Sequence, residues 1–166
     1  MLVIEDGSIV AGANSYVSRA DYITYAATLG IVIADTVAAD AQLIEAGIFI
    51  GSHEPQLKGV KITRDSSMAY PRSGLVIDGW SWLSTEIPRN VILSQMALAL
   101  DINAGGDLYN VTDEKFVTEQ SVEGAVSRSF AAPSRVEKLS TKSKSTALLN
   151  SLLKNSGLFS IPLLRA

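Results

Sequence analysis

The sequence predicts a mainly α fold: a small bundle of three to four helices with extended β-like arms and loops. Three observations carry this. Apolar residues recur at helical spacing in three stretches closed off by capping residues, 18–30, 35–51 and 88–105. Residues 52–84 carry scattered Gly, Pro and Trp with no such period. Residues 115–130 interleave apolar and polar side chains, as an extended segment does. With 166 residues, 47% hydrophobic and 19% charged, the chain is long and apolar enough to bury a core.

In chain order, Leu2–Ile4 reads as a short strand, followed by a turn at Asp6-Gly7 and by Ile9-Val10; Asp-Gly is a hairpin dipeptide. Ser18-Arg19-Ala20-Asp21 has the form of a capping box, so a first helix starts there. Gly30 is placed to end it in the left-handed region. A second helix starts near Asp35 or Thr36. Val37, Ala41, Ile44 and Ile48 give its stripe, widened by Leu43, Gly47 and Ile50, and Gly51 and Pro55 end it. Gly47 inside that helix implies a close packing contact.

A connection over 52–84 is too long to be idle, so it packs on the body or carries an interface. Pro88 opens the third helix, where its missing N–H is no loss. From Val91 to Ile102 this helix is apolar on nearly every face, so neighbours or other subunits are expected to cover it. Gly105-Gly106 ends it. Lys115–Phe130 follows as an extended arm with Phe116, Val122, Val126 and Phe130, and Gly124 as a bulge. A last helix is expected over Ser145–Lys154, with Leu148, Leu149, Leu152 and Leu153 on one stripe and Gly157 after it.

The organisation expected is a helical body over 1–130, containing the loop 52–84 and the arm 115–130, followed by a basic C-terminal extension over 131–166 with a short helix. Charge supports that division. Residues 1–50 hold six acids and one base, and residues 128–166 hold seven bases and one acid, in a chain of net charge −3. Arg128, Arg135, Lys138, Lys142 and Lys144 lie in a Ser/Thr/Lys-rich stretch with little apolar content. Such a stretch orders on a partner, with the leucine stripe buried there, and its deletion should spare the body.

Motifs of catalysis are missing from the sequence. The single histidine, His53, sits just past a helix end, where it complements the helix dipole, and no nucleophile or orienting acid is signalled beside it. With no cysteine and one histidine, a disulfide framework and a structural zinc site are excluded. Asp101 and Asp107 flank the Gly105-Gly106 turn at a spacing that matches no cation loop. Neither a phosphate-binding glycine loop nor a dinucleotide fingerprint is present. The expectation is a protein with no catalytic residues, no cofactor and no metal. No signal peptide is read at the N-terminus, and the longest apolar runs are too short to span a bilayer. Tyr70, Arg72, Trp80 and Trp82 remain as contact candidates, either stacking on bases or anchoring the long connection to the core or a partner.

Five patches in order resemble a family of tailed-phage head–tail adaptor (connector) proteins, whose members are often labelled DnaT-like single-stranded-DNA-binding proteins. They are Asn14–Tyr22, Leu43-Ile44-Glu45-Ala46, Tyr70-Pro71-Arg72-Ser73-Gly74, Glu86-Ile87-Pro88 with Val91 and Ala97-Leu98-Ala99, and Glu123-Gly124-Ala125-Val126-Ser127. Tyr70 stands where that family often has Trp. The resemblance implies a structural virion protein of the head–tail junction, assembled in the host bacterial cytoplasm. It would form a ring of about twelve copies beneath the portal protein. Such a ring continues the channel for packaged DNA and receives the tail or a stopper or terminator protein, with no membrane involved. The alternative is a DnaT-like single-stranded-DNA-binding replication module, against which the acidic body counts, since it repels phosphate.

Overall fold

The first helix forms where its caps are written. In α1 (Arg19–Thr28) the N-cap Ser18 accepts from Asp21 N–H and its hydroxyl donates to the Asp21 carboxylate, closing the capping box. At the other end Gly30 has φ 75°, Gly30 N–H donates to Ala27 O and Ile31 N–H to Ala26 O. That double return is a Schellman motif, and it satisfies two of the helix's orphan carbonyls. The computed structural model describes residues 1–109, 117–123, 125–130 and 144–154.

The central element is α3 (Arg89–Asn103), on which Val91 and every residue from Ser94 to Leu100 is buried. Against it packs α2 (Val37–Ser52), antiparallel: Gln42 Nε2 donates to Asn103 Oδ1, while Gly47 faces Gln95. α4 (Lys144–Asn150) also runs antiparallel along α3, with Asn90 bonded to Ser151 and Asp101 to Ser145. Of the two covers expected, neighbouring elements or other subunits, this chain's own helices supply the first. α3 ends as α1 does, with Gly105 at φ 83° and N–H groups of Gly105 and Gly106 returning to Ile102 and Asp101.

One buried amide ties the N-terminal segment to this core. Gln95 Oε1 accepts from Tyr16 N–H at 2.8 Å, and its Nε2 donates to Ser15 Oγ and Leu43 O. Tyr16 Oη in turn accepts from Tyr70 N–H at 2.9 Å. Gly47 is where these segments meet: a Cβ there would stand 2.9 Å from Asn14 O and 3.3 Å from Gln95 Nε2, so the close contact inferred from this glycine is present.

Several expectations are corrected. On α2 the widening residues Leu43, Gly47 and Ile50 are buried as read, together with Ala39 and Ala46, while Val37 and Ile48 of the expected stripe are 75% and 61% exposed. No hairpin forms at Asp6-Gly7. The Glu5 carboxylate takes the N–H groups of Gly7, Ile9 and Val10, and Ile4 bridges Ser15 instead. The 52–84 connection is more regular than expected. It holds a 3₁₀ turn (Glu54–Gln56) and two small antiparallel pairs, β1 (Val60–Lys61) with β2 (Arg72–Ser73) and β3 (Val76–Ile77) with β4 (Trp80–Ser81). The single extended arm is a hairpin, β5 (Val117–Glu123) paired antiparallel with β6 (Ala125–Phe130). Phe116, Gly124 and Gly157 lie outside the described residues.

Candidate nucleic-acid interface

From α4 to Lys154 the chain lies against the body. Leu153 bridges Leu57 antiparallel, Lys58 N–H donates to Leu152 O and Lys154 N–H to Gln56 O, each at 2.8 Å. Leu149 and Leu152 are fully buried beneath this staple, and Leu148 and Leu153 are half-buried. The leucine stripe is thus spent on the chain's own core, not held for a partner, because α3 and Leu57 offer it an apolar bed.

The staple brings together bases far apart in sequence. Lys154 Nζ donates to Pro55 O and Lys58 Nζ to Ser151 O. Lys61 lies opposite Arg72 in the β1–β2 register and pairs with Glu54 at 3.2 Å. Arg72 is 4% exposed, and its guanidinium donates only to carbonyls, Nη1 to Ala69 O and Nη2 to Gly59 O. Its Nε has no partner, and among the described residues no carboxylate stands within ion-pair distance of it. Three lysines and Arg72 therefore come together past the C-terminal end of α2, where Lys61 pairs with Glu54 and the other three donate to backbone carbonyls. A buried guanidinium without a counter-ion keeps its field, because little water reaches it to screen it.

The sequence candidates divide by burial. Tyr70 and Arg72 are buried, with the Arg72 guanidinium 5.9 Å from the Tyr70 ring centroid. Burial pushes the Tyr70 phenol up to about 12, opposed by the Arg72 cation. Both anchor the connection, as expected for the anchor reading, and neither offers a face for stacking. Trp82 is half-buried against the core. Trp80 is 77% exposed, beside the two-residue turn Asp78-Gly79, whose φ values of 53° and 82° are those of a twisted hairpin turn. Lys144 is exposed on α4, its Nζ 5.6 Å from the Tyr25 ring centroid, at the opposite end of that helix from the staple. Arg128 lies on β6, and Arg135, Lys138 and Lys142 lie outside the described residues. Sequence reading missed the basic end: Lys58, Lys61 and Arg64 fall within seven residues, a local signal, but only the fold adds Lys154 and Arg72.

At the other end of α2 the charges are closed. Arg19 donates to both Asp40 oxygens and to Asp35, at 2.7–2.8 Å. The guanidinium hydrogen bonds hold the Asp40 carboxyl below the usual range. His53 is equally engaged: its Nδ1 meets Phe49 O at 2.9 Å, and Ser52 Oγ donates to the same carbonyl. That geometry ties off a helix end and does not poise a nucleophile against a base. Among the described residues no cluster of three acids or histidines forms a metal cage, and no helix is long and apolar enough to cross a membrane.

No curated protein and no solved structure matches the chain. A family match covers all of it: from residue 1 to residue 166 the chain belongs to the family described as "Putative DnaT-like ssDNA binding protein".

Proposed function

We propose that this chain is a non-enzymatic binding subunit that takes single-stranded DNA at the basic end of its helical body. One observation carries the reading: the Leu57–Leu153 staple brings Lys154 beside Lys58, Lys61 and Arg72, of which only Lys61 has a carboxylate partner among the described residues, on a chain whose net charge is −3. Residues 1–50, with six acids and one base, repel phosphate, and this favours a nucleic acid at the basic end over the acidic one. The family description agrees in kind.

The test is fluorescence anisotropy with labelled oligothymidylate over a range of salt. The triple variant Lys58→Ala/Lys61→Ala/Lys154→Ala should bind at least tenfold more weakly at low salt. Its log–log salt slope should be shallower by about 2, from roughly 0.7 per lost phosphate contact. Wild-type affinity and slope in a folded triple variant would sink the reading.

A second reading, a ring subunit of a phage head–tail adaptor, draws on a different observation. An open groove of about 820 Å³ is lined by Leu2, Ile4, Ile23 and Val37, and the neighbouring Val32 is 94% exposed. Apolar surface of this kind marks protein contacts. Its partners would be other copies, the portal and a tail protein. Sedimentation of the chain with its portal separates the two readings, since only the adaptor co-migrates as a ring.

A further inference from the structure

The β3–β4 hairpin is rooted on the basic strand. Leu75, at its base, is 1% exposed; it accepts Trp82 N–H at 2.9 Å and closes over Gly59, whose added Cβ would lie 3.4 Å from Leu75 Cβ. Gly59 stands between Lys58 and the Val60-Lys61 strand, and its carbonyl holds Arg72. From that root to the Ile77–Trp80 rung is two residues, about 7 Å at the rise of a strand. Trp80 therefore stands on a short lever whose root packs on the Gly59 strand between the lysines, with most of its indole in water. Nothing in the core uses it, while Ile77 on the same rung is buried.

We infer that Trp80 is the stacking platform for an unpaired base, and that Lys58, Lys61 and Lys154 hold the phosphates beside it. This rests on the single-stranded-DNA reading and adds to it a division of labour. A flat aromatic face with lysines in excess over carboxylates matches the two halves of a nucleotide, and it selects single strands because a duplex keeps its base faces covered. A protein partner for the same ring would meet Lys58 and Lys154, which have no carboxylate partner among the described residues and gain nothing from apolar contact. The buried Arg72 adds positive potential beneath the site without touching the ligand.

The experiment titrates oligothymidylate, an abasic oligonucleotide of equal length, and duplex DNA into the wild type, Trp80→Ala, Trp80→Phe and the lysine triple variant. Trp80→Ala should bind oligothymidylate roughly tenfold or more weakly with an unchanged salt slope, whereas the triple variant changes the slope. Trp80→Phe should recover most of the affinity. Wild type should bind the abasic strand about as weakly as Trp80→Ala binds oligothymidylate. If Trp80→Ala binds like wild type while the triple variant fails, the stacking inference falls and the basic-end reading stands. If neither variant differs from wild type, both fall. If Trp80→Ala instead changes self-association by sedimentation and leaves DNA affinity intact, the hairpin is a protein contact and the inference is overturned.

Discussion

The two ends of α2 handle charge in opposite ways. At its start, one arginine is matched by two aspartates; past its end, Lys61 pairs with Glu54 while Lys58, Lys154 and Arg72 donate to backbone carbonyls. The ends are about 24 Å apart along sixteen residues of helix. Matched charge has its hydrogen bonds used up and acts on stability alone. Unmatched charge keeps its field and is open to a ligand. The acidic end is an external clasp, with Asp35 largely exposed, while the basic end is built over buried leucine and tyrosine. Damage to the two should therefore differ in size and in pH dependence.

The largest expected effect comes from ending the chain before residue 144. This removes Leu149 and Leu152, both fully buried, and uncovers one flank of α3. A buried leucine cut to alanine costs about 2–5 kcal/mol, so losing two approaches the whole stability of a domain. Thermal unfolding by circular dichroism should show a much lower or absent cooperative transition. A truncated chain that melts like the full one would return this segment to the status of a dispensable arm.

Next is Tyr70→Ala, which empties a fully buried site beside Arg72 and should cost about 3–5 kcal/mol. Tyr70→Phe sharpens the point. The Tyr70 hydroxyl is buried without a hydrogen-bond partner, so its removal should leave the melting temperature unchanged or slightly raised. A large loss in the phenylalanine variant would mean that the hydroxyl is bonded in solution.

The smallest effect is at the clasp. Asp40 has its folded pKa depressed by Arg19, so its contribution is present above the unfolded carboxylate pKa of about 3.9 and is lost as pH falls further. Arg19→Ala should lower the melting temperature modestly at neutral pH, and the gap to wild type should close below about pH 4. A gap that persists in acid would assign the loss to packing of the arginine stem.

Elements with local stop and start signals were legible from residues alone. Ser18 and Asp21 cap α1 as read, and Gly30 and Gly105 end their helices by the same motif. The face of α2 was read in part: Leu43, Gly47 and Ile50 are buried as expected, but Val37 and Ile48 point outward and the small Ala39 and Ala46 are buried in their place. Hydrophobicity ranks size, and close packing selects against it. The dipeptide Asp-Gly shows how context decides a turn. Asp78-Gly79 makes a hairpin between paired strands, whereas Gly7 is pressed against Thr85 O and its neighbours are claimed by Glu5. Of the candidate site, Trp80 was named from its residue type, but the basic end was not. It exists only because the Leu57–Leu153 bridge folds the C-terminal lysine back onto the 3₁₀ turn, a contact no local pattern encodes.

The Gln95 amide has a consequence for how the chain is made. A ribosome releases the molecule from its N-terminus, yet Tyr16 N–H finds its acceptor 79 residues later, and Leu43 O its donor 52 residues later. Until α3 has emerged, the first two helices have no common anchor and stay loosely associated. Closure is a late, non-local event, and non-local contacts of this range slow folding. The nascent chain cannot close this contact before α3 emerges, and α3 then draws two separate segments, Ser15-Tyr16 and Leu43, onto one side chain.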